Sequence, residues 1–316
     1  MELLWLSTVF LTLSPALAFS PRPGSPCSCD ELPRVFTDFD GTISVNNTIL
    51  NFAEAVYAAT PANKRTLPPL ASLLAEYEAN ITKASQEYGS QDTIAQEVAF
   101  ESSTLRRNVD VTLFDRVAAS GMISYLNSSI LQSAAETVVL RPDFWEWAVA
   151  ASRCGVITVL SNNFSTQWLR LVLRTTYANF LSANNTTHHP TNLADKIEVY
   201  CPEILTTQLV TPSPADHPAP LHDGGDKLVL LRRLVRGDVS RTLYLGDSVD
   251  DLPPLVGAGH GVLMGNDTGL MAMLTKQGAT LEPLVDETSL HAEGKDLILT
   301  TGDWSVLASI WEEEEK

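Results

Sequence analysis

The chain has 316 residues, 44% of them hydrophobic and 19% charged, which excludes a disordered polymer and leaves room for one large domain or a core with a smaller module. Lys and Arg number 21 against 38 Asp and Glu, a formal net charge of -17. A surface that acidic repels phosphate backbones and excludes nucleic acid as the expected partner, yet it is no obstacle to a site that holds a divalent cation.

Residues 1–18, MELLWLSTVFLTLSPALA, read as a signal peptide. Leu3 to Leu13 is almost wholly apolar, and Ala16-Leu17-Ala18 has the small-x-small form of a cleavage site. The run falls short of the about 20 apolar residues that span a bilayer, so no stable membrane span is expected after cleavage. Glu2 stands where a Lys or Arg is usual, and the competing reading is a buried N-terminal helix of a cytoplasmic protein. Sequons at Asn46, Asn80, Asn127, Asn163, Asn184, Asn185 and Asn266 favour the secretory pathway. The four cysteines, Cys27, Cys29, Cys154 and Cys201, fit no metal-ligand spacing. Cys27 and Cys29 are too close to pair easily with each other. Either could pair elsewhere in an oxidising compartment, and buried free thiols are the alternative.

Residues 19–33 form a linker, with PRPGSPCSCDELP rich in turn formers. RVFTDFDG is then a short buried strand ending at Asp38. From about Ile49 to Leu140 the pattern is helical. Leu70, Leu73, Leu74, Tyr77 and Ile81 fall at helical spacing behind Pro68 and Pro69. AQEVAFESSTLRR and FDRVAASGMISYL are further amphipathic candidates. From Arg141 helices and strands alternate. DFWEWAVAASRCG is a helix, VITVLS a strand, STQWLRLVLRTTY a helix, KIEVYC a strand and DKLVLLRRLV a helix. TLYLGDS is a strand, DDLPPLVGA a short helix and HGVLMG a strand. Ser182–Pro190 and Thr211–Asp223 read as loops, and the tail WEEEEK as a solvated helix end. The alternation predicts an α/β fold: a doubly wound parallel sheet built from residues 34–48 and 141–311, with a helical cap, 49–140, inserted after the first strand.

FTDFDGTIS poses the chemical question. A buried strand ends on Asp38, and Asp40 stands two residues beyond. Ligands of a parallel sheet bind outside the carboxyl ends of its strands. VITVLS ends there at Ser161, TLYLGDSVDD at Asp247 with Asp250 and Asp251 beyond, and a helix beginning near Lys227 reaches the same crevice. Carboxylates gathered there repel unless a cation joins them, and oxygen ligands suit Mg²⁺. Asp38 is then placed to attack phosphorus as a nucleophile. Ser161 and Lys227 can stabilise the phosphoryl oxygens, and Asp40 can move protons.

These stretches resemble the motifs of the haloacid dehalogenase-like superfamily in its phosphatase branch. DFDGT, TVLSNN, GGDKL and YLGDSVDDL occur in that family's order between Asp38 and Asp251. The resemblance implies a Rossmann-like core, a type-1 helical cap and a layout nearest to phosphoserine-phosphatase-like members. It implies Mg²⁺-dependent hydrolysis of a small phosphorylated substrate, a phosphate monoester, through an aspartyl-phosphate. Asp38 is the implied nucleophile and Asp40 the general acid/base. Thr42, Ser161, Asn162 and Lys227 bind the phosphate. Asp38, the Asp40 carbonyl and Asp247 hold Mg²⁺, with Asp251 in support.

Three rivals use the same residues. A dehalogenase lacks the second aspartate, because a halide leaves without a proton, so Asp40 argues against it. An isoprenoid (di)phosphate-processing enzyme or cyclase needs an apolar pocket. A non-catalytic ligand-binding protein would tolerate gaps in the catalytic set, and none is missing. Phosphoserine-specific members carry a glutamate seven residues after the second aspartate; Asn47 stands there, which speaks against phosphoserine. Arg106, Arg107 and Arg116 either bind a second anion or, as is commoner, lie on a solvated helix face. His188, His189, His222 and His260 show no ligand spacing and read as loop or surface residues. Glycans at Asn163 or Asn266 would obstruct the site, so at most partial use of the sequons is expected.

Overall fold

Alternation of side chains across a sheet explains why the strand sequences are apolar without a break. In β1 (Arg34–Thr37), Val35 packs into one apolar cluster and Phe36 into another on the opposite face; in β5 (Thr242–Gly246), Leu243 and Leu245 face the first cluster and Tyr244 the second. Both faces are therefore covered. The computed structural model describes residues 32–184, 189–291, 294 and 296–312. The expected signal peptide, most of the linker, Cys27, Cys29, Asn185, His188 and the acidic tail from 313 lie outside these residues.

Among the described residues the sheet has eight strands in the order β4-β3-β2-β1-β5-β6-β8-β7. The others are β2 (Thr158–Leu160), β3 (Glu198–Cys201), β4 (Asp216–Pro218), β6 (His260–Met264), β7 (Thr280–Pro283) and β8 (Leu297–Thr301), and every neighbouring pair is parallel. This is the expected α/β fold. β1 lies between β2 and β5, and the chain winds outward from it in both directions. The carboxyl ends of β1, β2 and β5 thus form the topological switch point, where a crevice opens in such sheets. Register sets the residues beyond those ends level with one another, since Thr37 pairs with both Val159 and Leu245.

Between β1 and β2 run α1 (Thr48–Ala59), α2 (Leu70–Tyr88), α3 (Ile94–Glu101), α4 (Thr104–Ala119), α5 (Ser128–Ala135) and α6 (Phe144–Ala151). The chain leaves the sheet and returns through a narrow neck. Ser44 bridges Leu140 antiparallel, Val45 N–H donates to Val139 O at 2.9 Å, and Arg141 N–H donates to Ile43 O at 2.8 Å. After β2 come α7 (Thr166–Asn184), α8 (Leu193–Lys196), α9 (Gly224–Leu234), α10 (Leu252–Gly257), α11 (Thr268–Lys276) and α12 (Ser305–Glu312).

The structure corrects several sequence expectations. AQEVAFESSTLRR is two helices, because Ser103 caps the second by accepting from Arg106 N–H at 3.2 Å and so competes with helix continuation. FDRVAASGMISYL breaks at Gly121, whose φ of 71° is left-handed, and continues as a single 3₁₀ turn. β4 lies inside Thr211–Asp223, read as loop. It is a three-residue edge strand ending in Pro218, too polar and short to carry a strand pattern. β7 is mostly exposed at the opposite edge and equally silent. His260 opens β6, as the strand reading of HGVLMG has it, and not a loop as the reading of the histidines has it. Cys201 is a buried free thiol, whereas Cys154 is disulfide-bonded. Among the described residues no helix is long and apolar enough to cross a membrane.

Candidate active site

Asp38 follows β1 directly and keeps its ladder bond, its N–H donating to Leu245 O at 2.8 Å. Its buried carboxylate accepts from Lys227 Nζ at 2.8 Å on Oδ1. Lys227, in the first turns of α9, also donates to Asp251 Oδ1 at 2.7 Å. Burial alone would lower the Lys227 pKa, but the Asp251 and Asp38 carboxylates outweigh it and hold the ammonium charged. The Asp38 carboxyl is held well above the ordinary carboxylate range. Burial is the main cause, Lys227 opposes it, and the charges of Asp251, Asp247 and Asp40 add to it.

Asp251 is 0% exposed and fully engaged. Oδ1 accepts from Lys227 and from Tyr244 OH at 2.7 Å; Oδ2 accepts from Asp247 N–H at 3.1 Å, Ser248 N–H at 3.3 Å and Ser248 Oγ at 3.1 Å. Its task is to orient Lys227 and the β5 loop. Asp247 is different: burial and then the neighbouring Asp251 charge push it up to about 7, and its hydrogen bond is to Thr42 Oγ1, 3.0 Å from Oδ1. Its carboxylate lies against Gly41, where an added Cβ would sit 2.0 Å from Oδ2, and Gly41 has a left-handed φ of 76°. Only glycine lets the turn after Asp40 pass this close.

Asp40 points into a separate polar cradle. Oδ1 accepts from Thr48 N–H at 2.5 Å, at the start of α1, and Oδ2 accepts from Asn163 Nδ2 at 2.7 Å. Burial raises the Asp40 pKa against the lowering effect of those hydrogen bonds. Ser161, just beyond β2, is buried, and its Oγ accepts from Asn163 N–H at 3.2 Å. Asn162 Oδ1 is buried without a protein partner among the described residues. The Thr42 hydroxyl is directed to Asp247 rather than left unpaired.

The fold thus brings Asp38, Asp40, Thr42, Ser161, Asn162, Lys227, Asp247 and Asp251 to one crevice. Sequence reasoning missed four supporting residues. Asn163, 1% exposed, bonds Asp40 and also donates to Thr48 Oγ1 at 3.0 Å; a buried amide so engaged leaves no place for a glycan on it. Tyr244 steadies Asp251. Trp304 Nε1 donates to Thr42 O at 3.2 Å from an aromatic cluster in which its ring lies 4.4 Å from that of Trp147. Arg141 Nε donates to Gly41 O at 2.7 Å. The Asn163, Trp304 and Arg141 contacts join distant segments, and none of the four carries a local sequence signal. Asn266 is exposed.

The cap arginines are each paired with carboxylates, and Arg106 does not lie on a solvated face. Arg106 is 3% exposed and pairs with Glu101 at 3.1 Å and with Asp110 and Asp250. Arg107 pairs with Asp226 at 3.1 Å and Arg116 with Glu76 at 2.6 Å. Asn47 is exposed and caps α1, its Oδ1 accepting from Ile49 N–H at 2.9 Å. His222 is half-buried, its ring edge-on to Phe114 at 5.2 Å.

Ligand atoms of Asp38, Asp247 and Asp251 lie within 4.8 Å of one another. Hard carboxylate oxygens in this number fit Mg²⁺. Since Asp251 spends both oxygens on five donors, Asp38 and Asp247 have oxygen to spare for an ion.

No protein-family model and no curated protein matches the sequence. Solved structures similar to this chain include phosphoserine phosphatases and hydrolases of the haloacid dehalogenase-like family. An apo phosphoserine phosphatase is 13% identical, with 88% of this chain and 99% of that one covered at a TM-score of 0.43. A phospho-aspartyl intermediate analogue of phosphoserine phosphatase is 12% identical over 87% and 96%, at 0.40. A 2-haloacid dehalogenase from Pseudomonas syringae is 14% identical over 88% and 96%, at 0.39. Likenesses of this size carry no argument about chemistry; the α/β fold itself rests on the parallel strand order and register described above.

Proposed function

We propose that this protein is a Mg²⁺-dependent phosphatase that hydrolyses a phosphate monoester through Asp38. The observation that carries the reading is the division of labour between two aspartates. Asp38 faces Lys227 and the Asp247 carboxylate, whereas Asp40 is held apart by Thr48 N–H and Asn163. Asp38 and Asp247, with the Asp40 carbonyl that the motif resemblance implies, would hold Mg²⁺, which when bound neutralises charge between carboxylate and phosphate.

Lys227 supports the phosphoryl oxygens beside Asp38, with the Ser161 hydroxyl and the Asn162 amide at the end of β2. The Asp38 carboxylate oxygen forms a bond to phosphorus as the bond to the ester oxygen breaks. Asp40, as the acid, gives that oxygen its proton, and the alcohol leaves. Asp40, now a carboxylate, takes a proton from water. The water oxygen bonds to phosphorus, the Asp38–phosphorus bond breaks, and inorganic phosphate departs. A halide leaves without a proton, whereas an ester oxygen needs one, so an acid held in place at Asp40 favours a phosphate ester over a halide.

The test is hydrolysis of an aryl phosphate with and without EDTA, with acid-quench trapping of phosphate on the protein. Chelation should stop turnover, and label should appear on wild type and be absent from Asp38→Asn. Turnover indifferent to EDTA, or label retained in the variant, overturns the reading. We also infer passage through the secretory pathway, from the apolar N-terminus and the exposed Asn46, Asn80 and Asn127. An intact Met1 and no glycan on protein from a eukaryotic host would refute it.

A further inference from the structure

The helical layer between β1 and β2 contains a cleft whose lining is almost wholly apolar, Tyr57 being the one lining residue with a polar side-chain atom. It lies between α1, α2 and α4, has a cavity volume of about 50 Å³ and is open to solvent at its mouth. Phe52, Val56 and Met122 form a buried floor, while Leu50, Ala53, Leu74 and Leu113 are only half-buried along the walls. Apolar walls left facing water are costly, and a cleft of this kind suits an apolar ligand.

Its position relates it to the site. Thr48, which gives its N–H to Asp40, is followed directly by Ile49 and Leu50 of the cleft wall. Asn163, which gives its amide to Asp40, is followed directly by Phe164 of the same wall, whose N–H donates to Asn163 Oδ1 at 2.7 Å. The two segments that hold the proton-transfer carboxylate therefore continue into the apolar cleft. The leaving oxygen of a substrate must face Asp40, so the group attached to it faces that wall. Polar alternatives for recognising this group are already engaged. Asn47 caps α1, and Arg106, Arg107 and Arg116 are paired with carboxylates.

We propose that the cleft binds the leaving group, and that the substrate is the phosphate monoester of an aliphatic alcohol whose chain lies along the cleft. The inference rests on the phosphatase reading above and adds the substrate class to it. Each methylene taken from water into the cleft strengthens transition-state binding, by about three- to fourfold when fully buried.

The experiment uses the full chain with Mg²⁺ and two series at submicellar concentration. One compares kcat/KM for ethyl, butyl, octyl and decyl phosphate. The other measures calorimetric binding of the matching alkyl phosphonates, which cannot be hydrolysed. The expected result is a rise of about 30-fold or more from butyl to octyl in both series, allowing for partial burial. Ala53→Trp and Leu113→Trp fill the cleft from opposite walls and should flatten the chain-length dependence while leaving ethyl phosphate turnover within about twofold. Leu74→Lys, at a half-buried wall position, should do the same without adding bulk and covers the case in which a tryptophan variant fails to fold. Ethyl phosphate hydrolysed with no dependence on chain length in either series overturns the substrate class and leaves the phosphatase reading standing. Chain-length-dependent phosphonate binding without hydrolysis of any ester supports the cleft and overturns the phosphatase reading instead.

Discussion

Asp250 and Asp251 are neighbours in the chain and belong to two different buried charge clusters. Asp251 turns inward to Lys227, which it shares with Asp38. Asp250 turns outward to Arg106 on α4, which also holds Glu101 and Asp110. Each cluster gathers several carboxylates around one buried cation, and each leaves negative charge in excess. They resolve the excess differently. A planar guanidinium offers five N–H donors in a fixed fork, enough for three carboxylates at once. The remaining charge in that knot is relieved by protonation: burial and the Asp250 charge push Glu101 up to about 9, so at neutral pH it keeps its proton and donates a hydrogen bond to Asp250. An ammonium has three donors and meets only Asp38 and Asp251, so Asp247 is left beside Thr42 with oxygen to spare. Counting carboxylates does not locate a site. What distinguishes a metal centre from a structural knot is whether the cation present satisfies them. The Arg106 knot joins the helical layer to the loop that carries Asp251, and the Arg107–Asp226 pair does the same beside Lys227.

The largest contrast should come from removing one carboxylate from each cluster. Asp38→Asn is expected to reduce phosphatase turnover to background, while Glu101→Gln, which removes a group already protonated, keeps it within a few-fold. Steady-state rates on an aryl phosphate decide, and equal losses would erase the distinction. Asp40→Asn should lose about 10²–10⁴-fold on an alkyl phosphate and less on an aryl phosphate, whose oxygen leaves without much protonation. An equal loss on both leaving groups would show that Asp40 is not the acid.

Removing the cations sharpens the comparison further. Lys227→Met and Arg106→Met each strand buried carboxylates and should each cost about 3–5 kcal/mol of stability in denaturant unfolding. Only Lys227→Met should also abolish turnover in the protein that remains folded. Mg²⁺ at about 100 times its Kd should then stabilise wild type by about 2.7 kcal/mol. Asp247→Asn should lose that thermal shift and Asp250→Asn should keep it. Thr42→Val, which frees the Asp247 carboxylate from its hydroxyl, should weaken Mg²⁺ by about 10–100-fold. A Mg²⁺ shift that follows Asp250 instead would place the ion in the knot.

The last comparison is in pH. Glu101 titrates near 4.5 when unfolded and at about 9 when folded, and burial with the Asp250 charge likewise lifts Asp110 from 3.8 to about 7. Native protein therefore binds more protons than unfolded chain between these values, so this contribution is complete below about pH 4 and is lost as pH rises through about 7 and then about 9. In EDTA the melting temperature should fall from pH 5 to pH 9, and Glu101→Gln should flatten the slope. An unchanged slope would mean that the knot does not titrate.

The sequence by itself determined the parts in which chain order and chemistry coincide. An apolar run that stops at Asp38, another at Ser161 and a third at Asp247 mark strand ends, because a buried parallel strand tolerates no charge until it leaves the sheet. The same patterns placed a helical block between the first two strands and Lys227 at a helix start. Edge strands β4 and β7 were illegible, since an edge needs no continuous apolar run. Only the tertiary structure decided which polar groups meet. Asn163 reaches Asp40 across 123 residues, and Arg106 reaches Asp250 across 144. A sequon and a basic helix face are what those residues look like locally. Hydrogen-bond partners and burial are properties of the folded sheet and its neck, and no pattern of neighbours in the chain encodes them.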